Sequence, residues 1–68
     1  MVLYWPCAEY KDEHHEELQR LFTYDSVLSK KKALDQIYFW RDVYKFNIVR
    51  AWIDITDGDS KETEEVPI

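Results

Sequence analysis

Two adjacent histidines, His14 and His15, stand among Asp12, Glu13, Glu16 and Glu17. Imidazole nitrogens and carboxylate oxygens are the donor set of a zinc or nickel site, and no other cluster in the chain offers it. The spacing argues against a site. Neighbouring side chains diverge on a helix and on a strand, so the two rings reach one ion only with special loop geometry or a second chain. A solvated loop without a metal is expected. Asp57, Asp59 and Ser60 carry the oxygens of a calcium loop. Such a loop needs a glycine at its sixth position and a glutamate at its twelfth. Gly58 is out of place and Lys61 falls on a ligand position, so the segment reads as a turn.

Cys7 becomes a nucleophile only beside a base. Nothing in the sequence orients His14 or His15 towards it, and a small buried hydrophobe is the expected role. Lys30-Lys31-Lys32 opens a helix, where cations oppose the macrodipole. Either a solvated first turn is neutralised by the acidic 9–17 segment, or the lysines contact phosphates or an acidic partner. Three lysines without interleaved Arg, Gly or exposed rings are a poor nucleic-acid footprint, so no direct nucleic-acid binding is expected. No catalytic residue, cofactor-binding loop or metal-ligand set emerges, and an enzyme is not expected.

The elements that carry these residues are legible to different degrees. Met1–Tyr10 reads as a strand, rich in Val, Tyr and Trp, with Pro6 marking an edge, a bulge or an early end. Residues 18–25 read as a second strand, paired with the first through the acidic loop. A short helix at about 12–22 is the alternative. Ser29 is a plausible N-cap for a helix running to about Lys45. Around Ile37, a stripe of Ala33, Leu34, Trp40 and Tyr44 faces the sheet. Asn47 stops the helix in the left-handed conformation. Residues 48–56 alternate as a strand, with Val49, Ala51, Ile53 and Ile55 under the helix and Ile48, Arg50, Trp52 and Asp54 outside. The expected fold is α+β, a β-β-α-β domain with an antiparallel sheet and one long helix on one face. A β-α-α-β order is the alternative. Residues 1–57 make one globular domain and 58–68 an acidic, flexible tail.

Sixty-eight residues hold three Trp, five Tyr and three Phe. A core this small cannot enclose so many rings, and one cysteine forms no internal disulfide, so self-association is the open route to stability. A second helical stripe, Phe39, Val43 and Phe46, joins Ile48 and Trp52 as the candidate protein interface. The first expectation is therefore a small non-enzymatic interaction module, a homodimer or a binder of another protein. The second is an acidic mimic of nucleic acid that inhibits a DNA- or RNA-binding protein. The net charge is −5. Residues 57–68 hold five acids and one base, so most of the excess lies in the tail. No apolar run approaches a membrane span and no export signal is visible, which fits a cytoplasmic setting without membrane contact.

Overall fold

A computed structural model describes all residues from Met1 to Ile68. The chain runs β1 (Val2–Lys11), β2 (Gln19–Phe22), α1 (Lys30–Asp42), β3 (Asn47–Asp57) and β4 (Ser60–Val66). The four strands form one antiparallel sheet in the order β2-β1-β3-β4, with α1 packed on one face. The fold is a small α+β domain. β2 and β3 both run antiparallel to β1, hence parallel to each other, so their connection needs a crossover. The helix supplies it, passing over β1 and burying Ala33, Ile37 and Trp40.

The core is thin. Ala8, Ala33, Ile37, Trp40, Ile48, Ala51, Ile53 and Val66 make one buried cluster, with Tyr4, Tyr10, Leu21, Val27, Leu34, Phe46 and Ile55 packed around it. Ile37 and Ile53 are fully buried. Each contributes on the order of 1.5–3 kcal/mol by leaving water. Small Ala8 and Ala51 face each other across β1 and β3, which lets the helix approach the sheet closely.

Pro6 explains where β2 stops. Tyr4 exchanges both backbone hydrogen bonds with Val27, at 2.9 Å each, so its polar groups point to the β2 side. Backbone groups alternate in direction along a strand, so Pro6 points the same way. β2 ends at Phe22, opposite Cys7, and the chain returns only at Val27. The missing proline donor therefore falls in the gap and costs no ladder bond. The second strand is shorter than the 18–25 expected, for this reason.

The helix begins as expected. Ser29 is extended at φ −140° and ψ 147°, and its hydroxyl accepts from the Lys32 amide at 3.2 Å. It ends earlier than expected, at Asp42. The left-handed residue is Lys45, φ 63°, not Asn47, which already begins β3. The Phe46 amide donates back to the Trp40 carbonyl at 3.1 Å and closes the turn. Tyr44 thus leaves the helix and is 62% exposed instead of facing the sheet.

The alternation of β3 is shifted by a bulge. Glu9 faces Arg50 while Tyr10 faces Ile48, so Val49 is the extra residue. Ile48 turns in under the helix, Val49 turns out at 51% exposure, and Ala51, Ile53 and Ile55 keep the inner face. Ile48 is thereby a core residue and not part of an outer surface.

The C-terminal segment is a strand and not a loose tail. Gly58 and Asp59 form a two-residue hairpin loop, with Asp57 paired to Ser60. Positive φ falls at Gly58, 60°, and not at Asp59, the pattern of a type II′ turn. β4 then pairs with β3 over seven positions, and its acids meet bases of the body. Glu64 pairs with Lys30, and Glu65 accepts from Arg50 Nε at 2.8 Å. Val66 is buried against the core. Backbone pairing and charge matching thus order a segment that has almost no apolar content.

Candidate functional site

The chemically suggestive residues go to structural duties. Asp12 closes its own turn: its carboxylate accepts the His14 amide at 2.9 Å, and His15 Nδ1 lies 3.1 Å from its other oxygen. Those contacts, the His14 amide first, hold the Asp12 carboxyl below the usual range. His14 and His15 stay exposed, and no three or more His, Cys, Asp or Glu side chains converge. Asp57 and Ser60 are hairpin positions. Lys30 pairs with Glu64 of β4, not with the 9–17 segment.

Cys7 sits on the sheet face opposite the helix, paired with Trp52 on β3 and Phe22 on β2. Its Sγ lies 3.6 Å from the Trp5 carbonyl and 3.9 Å from Asp54 Oδ2. Burial, followed by the Asp54 charge, pushes the thiol up to about 11. It is protonated at neutral pH and a poor nucleophile. The shallow groove above it, about 300 Å³, is lined by Trp5, Phe22, Asp54 and Lys61 among others. Asp54 is already engaged by the Thr63 hydroxyl at 2.9 Å, with Lys61 Nζ at 4.0 Å. The Trp5 indole donates to Thr56 at 3.1 Å.

The residues of the expected interface separate into two kinds. Trp52 lies on the open sheet face, yet only 7% of it is exposed. The Arg50 guanidinium sits 4.5 Å from its ring centroid and that of Arg20 5.6 Å away. Arg50 is itself fixed by Glu65 on one side and by Glu9, 3.6 Å away, on the other. Arg50, two residues back on the same strand, and Arg20, reaching across from β2 beyond β1, therefore roof the indole, with cation–π attraction added. Trp52 and Ile48 are thus withdrawn from the expected interface.

Phe39 and Val43 remain on the surface, 43% and 59% exposed. Phe46 is half-buried, its ring 4.6 Å from Tyr10. Tyr44, which the sequence pattern assigns to the inner stripe, joins the outer one. Its ring packs edge-on to Phe39 at 5.0 Å and lies 6.2 Å from Phe46. The early helix stop is the cause, and with no glycine near residue 45 the sequence carries no signal for that turn. Phe39, Val43 and Tyr44 form one bare apolar patch at the C-terminal end of α1, seated on Phe46.

No protein-family model matches the chain, and no curated protein or solved structure gives a significant match. No helix is long and apolar enough to cross a membrane.

Proposed function

We propose that this protein is a small, non-enzymatic protein-interaction module that self-associates through the bare end of its helix. The observation that carries the reading is the patch of Phe39, Val43 and Tyr44, contiguous and 43–62% exposed. The rings are held in place by neighbours of the same chain, so little ordering entropy is lost when they are covered. Contiguous exposed rings are the usual centre of a binding hot spot.

Size supports the same reading. Only 10 of the 68 residues are buried, which leaves a thin stability margin. The surface, 5036 Å², exceeds the roughly 4,600 Å² typical of a monomer of this mass. The radius of gyration is 12.3 Å, against about 11 Å for a compact chain of this length. A second copy laid on the patch would cover part of that excess.

The nucleic-acid mimic has less support. Its acids now lie on a rigid hairpin, but most are neutralised: Asp57 by the N-terminal amine, Glu64 by Lys30, Glu65 by Arg50. Asp59 and Glu62 are left without a partner.

Sedimentation across concentration tests the reading. The wild-type mass rises towards two chains, and Phe39→Ser with Val43→Ser holds it at one chain with helicity intact. A wild type that stays a single chain at high micromolar concentration defeats the reading.

A further inference from the structure

The bare patch continues into a cleft of about 700 Å³ between the loop after β1 and the turn that follows the helix. Tyr10 and Phe46, the ring pair at 4.6 Å, line it. Lys45 stands on the helix side, and Glu13 and Glu16 stand on the loop side. All three are exposed, and none is in an ion pair within the chain. Lys11, on the loop side, is turned onto the Glu16 carbonyl at 3.3 Å. The cleft therefore has a positive wall and a negative wall that do not meet.

Lys45 adds a second observation. It holds the left-handed conformation, φ 63°, which glycine or asparagine adopts with less strain. The hydrogen-bonded Arg41, helped by the Lys45 charge, holds the Asp42 carboxyl below the usual range, but Lys45 itself makes no ion pair.

We propose that a second copy docks across this cleft about a two-fold axis, so that Lys45 of each protomer meets the Glu13–Glu16 loop of the other. A two-fold interface must be self-complementary, and an axis passing between a positive and a negative wall achieves this. The rings of Tyr44 and Phe46 lie beside the axis and are covered as the charges pair. The proposal rests on the self-association reading and adds the geometry and the charge rule that select a second copy as partner.

Charge reversal tests it, read by sedimentation equilibrium, with circular dichroism showing that each variant keeps its fold. Lys45→Glu alone and Glu13→Lys with Glu16→Lys alone each raise the dimer dissociation constant by about tenfold or more. The decisive sample is an equimolar mixture of the two variants. In a two-fold exchange the mixed dimer has both contacts attractive. The Lys45→Glu protomer sets its new carboxylate against a basic loop, and its partner sets the native Lys45 against an acidic one. The mixture should associate to within about threefold of the wild type. Lys61→Glu, away from the cleft, serves as the control and leaves association unchanged. A mixture no stronger than either variant, or variants as dimeric as the wild type, overturns the cleft geometry while leaving self-association standing. A monomeric wild type overturns both.

Discussion

Two ring-bearing regions of this molecule meet water differently. On the sheet face, Trp52 is left open by the topology, because no helix covers that side. It is nevertheless 7% exposed, since Arg20 and Arg50 lie across it. At the helix end, Phe39, Val43 and Tyr44 have only one another and Phe46. The lesson is that aromatic content alone does not locate a sticky surface. A ring in the middle of a sheet can be roofed by long cationic stems, here one from its own strand and one from β2, whereas Phe22 at the end of the edge strand stays 52% exposed. Phe39, in the last turn of the helix, has no such roof.

The largest effect separating the two regions is on stability. Trp52→Ala should cost roughly 3–5 kcal/mol, as for other buried aromatics. Phe39→Ala should cost under about 1 kcal/mol of monomer stability, since it removes a surface ring. Urea denaturation at low protein concentration measures both, and comparable costs would erase the distinction. Removing the roof comes next. Arg50→Ala should leave the fold intact and make tryptophan fluorescence more accessible to acrylamide, with a red shift. Unchanged quenching would mean that the sheet, not the guanidinium, shelters the indole.

A smaller effect lies at the helix stop. Lys45→Gly relieves the left-handed residue and should stabilise the monomer by roughly 0.5–1 kcal/mol. On the proposed cleft geometry the same change weakens association, so stability and dimerisation move in opposite directions. The smallest effect concerns Cys7. Its thiol is raised from 9.0 to about 11 in the folded chain. The unfolded chain loses that proton first, so the thiol's contribution to stability is full below pH 9 and is lost as pH rises towards 11. Iodoacetamide should label folded protein slowly at about pH 8 and faster only as pH nears 11. Rapid labelling in the slow range would place a thiolate on the supposedly closed face.

Much of the fold is legible in the sequence. Ser29 as a cap, the burial of Ala33, Ile37 and Trp40, and the inward Ala51, Ile53 and Ile55 all follow from local spacing. Other features depend on what lies across the sheet. The Val49 bulge is set by its partners Glu9 and Tyr10 and carries no signature in β3 itself. β4 reads as loose because five of its seven residues are Lys, Glu or Ser. What orders it is seven paired positions and bases on distant elements. Gly58-Asp59 is a recognisable hairpin signal, outweighed by that composition.

The candidate surface is half legible for the same reason. Phe39 and Val43 are exposed as their helical spacing implies, and Phe46 is half-turned into its own chain. Trp52 and Ile48 fall on a contact surface by alternation alone. The bulge moves one, and Arg50 of the same strand, joined by Arg20 from β2, whose register β3 does not reveal, closes over the other. Tyr44 escapes the pattern because a lysine, not a glycine, holds the left-handed turn.

The most direct test follows backbone and indole amide shifts by NMR as concentration is raised. The account predicts progressive changes at Phe39, Val43, Tyr44 and Lys45, with the indole signals of Trp5 and Trp52 on the sheet face unmoved. Changes concentrated at Trp5, Phe22 and Trp52, or no change anywhere, would contradict it.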